Sequence, residues 1–376
     1  MKIIKIEFLK GAAKKVAPFL IDNSQNICII LSMKIAIFTD LHLGIKSDDH
    51  KWHDVAFKWA DSMIERLEND GINTIVFLGD FFHNRSTISV DTLNATSKFL
   101  DKFKNFNLHM ILGNHDLYYD KIYDVSAVNI FNGYPNIKVY TKPTHVKFGN
   151  LDTLMCGWGY DPLQDSADVL FTHAEINVFK FNKKLGACNS DLKCSELLPK
   201  YKVIYSGHFH LRQIKDYEEG TVRYVGNPFQ MDYSDEGTPK GFEIFDTEEM
   251  TYEFIENTIS PTFVRYKLSD LIETRAFDQL RKQINNSYFK LIIDKNITLS
   301  DLNELMTLVN QCEPRSANFE WENGQSFSQN IDEEDFVIDD FELSSVMSKY
   351  VDMMEIPNKE WVLGYLLKKL EVVMNK

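Results

Sequence analysis

A chain of 376 residues with 44% hydrophobic content can bury a large core, and one large domain beside one small one is the expected count. A net charge of -14 speaks against gripping nucleic acid through a basic surface, because phosphate contacts need local Lys and Arg; bound divalent cations would offset the acidity where an anionic substrate sits. No apolar run approaches the roughly 18 residues of a membrane-spanning helix, and five scattered cysteines (Cys28, Cys156, Cys188, Cys194, Cys312) without CxxC spacing fit free thiols in a reducing compartment.

Residues 1–32 interleave Lys2, Lys5, Lys10, Lys14 and Lys15 with apolar residues, and no clean apolar core with a cleavage site follows. Met33-Lys34-Ile35 reads as a natural start that leads straight into a core strand, so 1–32 is expected to be an extension from an upstream start codon. Strand 33–39 ends at Asp40-Leu41-His42-Leu43-Gly44. A helical period over 52–69 (Trp52, Val55, Ala56, Trp59, Met63, Ile64, Leu67) stops at Gly71. Strand 74–78 ends at Gly79-Asp80-Phe81-Phe82-His83. A helix around 89–104 follows, then a short strand 108–112 ending at Gly113-Asn114-His115-Asp116. This strand–helix rhythm predicts an α/β sheet with right-handed crossovers, in which ligands bind at the carboxyl ends of the strands.

The second half reads as shorter strands near 136–141, 144–148, 151–158 and 168–172, the last ending at Thr172-His173. After a Lys-rich loop (Lys180, Lys183, Lys184), strand 202–206 ends at Gly207-His208-Phe209-His210. A hairpin-rich sheet is expected over 221–225 and 242–245, and two such halves stack their sheets face to face. Beyond a boundary near Ser260-Pro261, strands at 262–267, 287–293 and 316–321 with helices at 270–284 and 299–311 form a small α+β domain (261–321). Residues 322–342 are acidic and linker-like. Two amphipathic helices, split by Pro357, close the chain at 343–376.

Asp, His and Asn offer oxygen and imidazole donors that suit Mn²⁺, Fe²⁺ or Zn²⁺ better than Ca²⁺. Two ions about 3.5–4 Å apart need a shared ligand, and a carboxylate is the natural bridge. The inventory divides around Asp80. Asp40, His42, Asp80 and His210 would serve one ion, and Asp80, Asn114, His173 and His208 the other. In extended backbone the two imidazoles of His208-Phe209-His210 would point the same way, one toward each ion. Such a site supports in-line attack of water on phosphorus. His115 is placed as general acid or transition-state stabiliser. Asp116 would support His115, and His83 would reach the substrate phosphate. Any one Asp-x-His is unspecific, since a structural His or a solvated carboxylate is commoner; four such motifs in this order, each after an apolar strand, are specific. For His50, His53, His109 and His145 an ordinary structural role is expected.

Together, Asp40-x-His42, Gly79-Asp80-x-x-His83, Gly113-Asn114-His115-Asp116, His173 and Gly207-His208-x-His210 resemble the calcineurin-like metallophosphoesterase superfamily. Within it, the Gly-Asp-Phe-Phe-His form and the layout over about 33–376 resemble the SbcD (Mre-eleven) nuclease family, including its phage recombination-endonuclease branch. The resemblance implies a two-sheet (α-β-β-α) sandwich over 33–260, with 261–321 as a DNA-capping domain and 343–376 as ATPase-docking helices. It also implies the seven ligands above, His115 as the catalytic histidine, and His83 as a second active-site histidine. Its implied chemistry is Mn²⁺-dependent cleavage of DNA, as a double-strand exonuclease and single-strand endonuclease. Its implied partners are a second copy of the chain and an SbcC-type coiled-coil ATPase, with no membrane, in the cytoplasm of a host cell if phage-encoded. One departure stands out: Gly226-Asn227-Pro228 has Asn where similar proteins usually show a small hydroxyl residue. Two other readings compete. A phosphodiesterase or phosphatase for small molecules or proteins would use the same metals, but does not need the appended domain or terminal helices. A scaffold that no longer catalyses should have lost ligands, and all seven positions are filled.

Overall fold

The computed structural model describes residues 33–119, 122–274, 277–322, 351, 359 and 362–367. The expected extension 1–32, the acidic linker after residue 322 and most of the closing helices lie outside the described residues.

In chain order, β1 (Lys34–Phe38), a single turn α1 (Ile45–Asp48), α2 (His50–Asp70), β2 (Thr74–Phe77), α3 (Val90–Lys102) and β3 (Asn107–Ile111) come first. A hairpin of β4 (Leu117–Tyr119) and β5 (Ile122–Ser126) precedes β6 (Ile137–Tyr140). Then come β7 (Thr144–Phe148), β8 (Leu151–Cys156), β9 (Val169–Thr172), α4 (Cys194–Leu197), β10 (Val203–Ser206), β11 (Gln213–Asp216), β12 (Thr221–Tyr224), β13 (Gly241–Asp246) and β14 (Thr251–Glu256). One six-stranded sheet has the order β14-β13-β1-β2-β3-β6, and a second has β11-β12-β10-β9-β8-β7.

The helix signals act as expected. Asp49 accepts from the Lys51 amide at the start of α2, and Gly71 ends it in the left-handed conformation, φ 68. Ser89 caps α3 through the Thr92 amide. The apolar faces of α2 and α3 bury Trp52, Trp59, Met63, Phe99 and Leu100 against Phe38, Ile75 and Phe77 of the first sheet. The opposite face of that sheet (Ile35, Ile37, Val76, Ile111) meets Met155, Val169, Phe171, Val203 and Tyr205 of the second sheet. The outer face of the second sheet is covered by Phe179, Leu197 and Tyr201. The result is the expected α-β-β-α sandwich. Because both faces of each sheet are covered, the central strands read as continuous apolar runs rather than alternating ones.

The strand ends carry packing that serves the loops. Phe81 and Phe82 are each 1% exposed and pack on one another and on Phe131, and Phe81 also packs on Phe77 and Phe99. Burying one such side chain contributes about 1.5–3 kcal/mol. That offsets the roughly 1–2 kcal/mol of a left-handed L-residue, which is what Asp80 is, at φ 60.

Beyond Pro261 come β15 (Thr262–Lys267), α5 (Leu268–Thr274), α6 (Phe277–Ile284), β16 (Ser287–Ile293), α7 (Leu299–Asn310) and β17 (Ser316–Trp321). The three strands run parallel in the order β15-β16-β17. They bury their own cluster around Phe289, Leu291 and Leu302. Phe263 and Tyr288 also stack on Trp52 of α2.

Candidate metal centre

Every strand that ends in one of the polar motifs delivers it to the same basin. β1, β2 and β3 are mutually parallel, as are β9 and β10, so their carboxyl ends share one edge of the stacked sheets. Two glycines set how closely the loops approach. A Cβ on Gly79, which sits at φ 98, would lie 2.5 Å from the Gly113 amide nitrogen. A Cβ on Gly113 would lie 2.1 Å from an Asp80 carboxylate oxygen. Neither position has room for a side chain. Asp40, His42, Asp80 and His208 all hold positive φ (53, 48, 60 and 83). Such strain costs of order 1–3 kcal/mol per residue, and four of the seven expected ligands carry it.

The basin has two halves with Asp80 between them. In one, His42 Nε2 lies 3.0 Å from His210 Nε2, 3.9 Å from Asp40 and 3.7 Å from Asp80; His210 is 4.0 Å from Asp40. In the other, His173 Nε2 lies 3.4 Å from Asp80 and 3.2 Å from the Asn114 side-chain oxygen, and His208 Nδ1 lies 2.9 Å from that same oxygen. Asp40–His42–His210 and Asp80–His173–His208 each bring their donor atoms within 4.8 Å of one another.

These atoms fit divalent cations. Burial drives His42 well below the ordinary imidazole range and His208 down to about 3, which favours the neutral ring at both. His42 Nε2 and His210 Nε2 face each other at 3.0 Å, close enough to serve one cation together. Burial raises Asp40. Burial also opposes ionisation of Asp80, but His173 and His42 outweigh it and hold the carboxyl below the usual carboxylate range. In return, His173, although buried, is raised to about 9 by Asp80. Nitrogen and oxygen donors with no thiolate among them suit borderline first-row ions.

His42, His83 and His115 form a third cluster on the rim. His115 donates from Nδ1 to the His83 carbonyl at 2.6 Å, and its amide donates to Asp80 at 2.8 Å. Its ring centroid is 4.8 Å from that of His42, and the His83 ring is 5.6 Å from His42.

Two expectations need correction. Asp116 does not back the His115 imidazole. It is buried, accepts from the amides of Asp80 (2.8 Å), Phe81 (2.9 Å) and Gly113 (2.9 Å), and so braces the two loops; burial and the Asp80 charge push it up to about 7. Nor is His208-Phe209-His210 an extended run with parallel imidazoles. His208 sits at φ 83, and the turn sends its ring to Asn114 while His210 reaches His42. Phe209, fully buried, anchors the turn in the outer core.

Sequence reasoning missed Glu175. Its carboxylate accepts from His208 Nε2 at 3.1 Å, which fixes the tautomer that leaves Nδ1 facing Asn114. The available signal was a carboxylate two residues beyond His173. It also missed Trp158, whose ring is 4.9 Å from that of His208. Among the other histidines, His109 bonds Tyr140, His53 bonds Thr92, and His145 lies between Asp152 and Asp165.

A two-sheet sandwich with carboxylates and imidazoles gathered at its strand ends is the arrangement of a metallophosphoesterase. Residues 33–212 match the model of the calcineurin-like phosphoesterase family. Exonuclease subunit 1 of Enterobacteria phage T4 is 32% identical over 279 residues, covering 71% of this chain and 79% of its own. Two solved structures are more remote: an archaeal phosphodiesterase (17% identity, TM-score 0.33, 60% of this chain and 100% of its own) and Plasmodium GAP50 (13% identity, TM-score 0.42, 61% and 85%). At those scores neither bears on the site. The chain belongs to the calcineurin-like phosphoesterase family, whose members bind divalent metals.

Proposed function

We propose that this chain is the nuclease subunit of an SbcCD-type recombination and repair complex, cleaving DNA phosphodiester bonds at a two-ion site, with Mn²⁺ as the ions. The observation that carries the reading is the convergence of Asp40, His42, Asp80, Asn114, His173, His208 and His210 from five strand ends onto one basin. The T4 relative named as an exonuclease subunit supports DNA as substrate and a partner subunit. Bound ions would lower the pKa of water and polarise the phosphoryl oxygens. Asp80, between the halves, would be the shared ligand.

His115 is the catalytic histidine. Its Nδ1 proton is engaged by the His83 carbonyl, so Nε2 is the atom that, in the doubly protonated ring, would give a proton to the leaving alkoxide. His83 acts from the same rim on the substrate phosphate. Asp116 acts on neither; it holds the loops that carry Asp80 and Asn114. By the same reading 33–260 is the nuclease domain, 261–321 caps DNA, 322–342 is a linker, and 343–376 docks an SbcC-type ATPase. The active unit is a homodimer in the cytoplasm of the host. A Mn²⁺-dependent assay on labelled linear duplex beside a generic phosphodiester dye tests this. Cleavage of both supports the nuclease; cleavage of the dye alone would point to a phosphodiesterase or phosphatase of small molecules or proteins.

A further inference from the structure

Lys240 is a buried lysine with no task in the mechanism above. It is 3% exposed. Its ammonium donates to the His210 carbonyl at 2.7 Å, to Asp235 at 2.5 Å and to the side-chain oxygen of Asn227. Three protons meet three acceptors, the condition under which a buried cation is tolerated. Asp235 in turn accepts from the Met231 amide at 2.9 Å and the Asn227 amide group at 3.3 Å. Gly226 closes the clamp, since a Cβ there would lie 2.8 Å from the His210 carbonyl oxygen. Asn227, the departure noted in the sequence, is therefore the residue that receives the lysine.

The clamp continues outward. Gln230 accepts from the Phe263 amide at 2.7 Å. Glu236 receives the Arg265 guanidinium at 2.7 Å, and Arg265 also donates to the Tyr233 carbonyl at 2.9 Å. The Tyr233 and Phe263 rings are 5.0 Å apart. Polar contacts joined by short lengths of chain thus lead from the backbone of His210, through 226–240, to β15 of the small three-stranded unit.

We infer that Lys240 is a positioning residue for His210, and that loop 230–238 ties it to the β15–β17 unit, so that the seating of that unit sets how tightly the Asp40–His42–His210 half holds its ion. The inference rests on His210 as a ligand. It assigns the small unit a second role, as a support of one half of the centre and not of the other.

The test is Mn²⁺ titration of the full chain, followed by the electron paramagnetic resonance of free Mn²⁺, for wild type, His210→Ala, Lys240→Met and Arg265→Ala, with circular dichroism to report folding. His210→Ala identifies which of two affinities belongs to its half. Lys240→Met should weaken that affinity about 10–100-fold, the usual cost of losing a group that orients a ligand, and Arg265→Ala should weaken the same one severalfold. The other affinity should stay unchanged, which a general loss of structure would not allow. A folded Lys240→Met that binds both ions as wild type does overturns the inference. If Lys240→Met fails to fold, Arg265→Ala decides: a loss confined to the His210 affinity supports it, and no change overturns it. A wild type that binds fewer than two ions overturns the two-ion reading itself, and the inference falls with it.

Discussion

The two halves of the basin are built from similar donors but are held in different ways. Around His210 the support is internal: a buried ammonium, a buried Asn and a loop that runs to another sheet. Around His208 it is local and near solvent: Glu175, whose side chain is 37% exposed, holds the ring's second nitrogen, and Trp158 flanks it. Asp80 alone belongs to both. The difference teaches that, on the proposed two-ion reading, the ions would not be equally easy to lose, and that substitutions should sort by half.

Asp80→Ala should have the largest effect because it removes the shared carboxylate. Wild type should gain about 2.7 kcal/mol of stability per ion at Mn²⁺ one hundredfold above that ion's dissociation constant. The variant should gain almost none in a thermal melt, and its Mn²⁺-stimulated turnover should vanish. A variant that keeps half of the gain would mean that one half stands without Asp80.

His115→Ala sits outside both halves. Removal of a general acid costs about 10²–10⁴-fold in kcat, while both ion affinities should remain near wild type by isothermal titration. Loss of an ion would move His115 into the ligand set. Glu175→Ala should act on one half only, lowering a single affinity about 10–100-fold. Glu175→Gln, which can still accept from His208, should restore most of it. An equal loss at both ions would erase the distinction between the halves.

His145 serves as the control, on the far side of the second sheet's edge. Asp165 and Asp152 raise its pKa above the ordinary imidazole value of 6.5. A raised folded-state value means the pair stabilises fully below about pH 6.5 and loses that contribution as pH rises through the folded value. Being exposed, it is worth less than about 1 kcal/mol. His145→Ala should therefore lower the melting temperature slightly at pH 5.5 and not at pH 9, with no change in either ion affinity.

Much of this was legible in the sequence because parallel α/β architecture writes itself plainly. Ile35–Phe38, Thr74–Leu78 and Val203–Ser206 are apolar because both sheet faces are covered, and each stops at the residue that turns into the basin. That Gly79 and Gly113 lie where two loops touch, with no room for a Cβ, needed the folded chain. What stayed hidden was whatever depends on contacts between distant segments. Asp116 looked like a partner for its neighbour His115, yet three backbone amides from two loops claim its carboxylate. Glu175 lies two residues past His173 and Lys240 in a stretch without a motif, and only the folded chain brings them to His208 and His210. The bend at His208 was missed because a left-handed L-residue leaves no mark in a hydrophobic pattern. The strands β11 and β14 were missed as well. Both are edge strands, half solvated, with weak apolar signals.

The most direct test of the two-ion reading is anomalous diffraction at the manganese edge from crystals grown with Mn²⁺. Two peaks are expected, one beside Asp40, His42 and His210 and one beside Asn114, His173 and His208, with the Asp80 carboxylate between them. A single peak, or a peak held by the His42–His83–His115 cluster in place of either, would contradict the assignment.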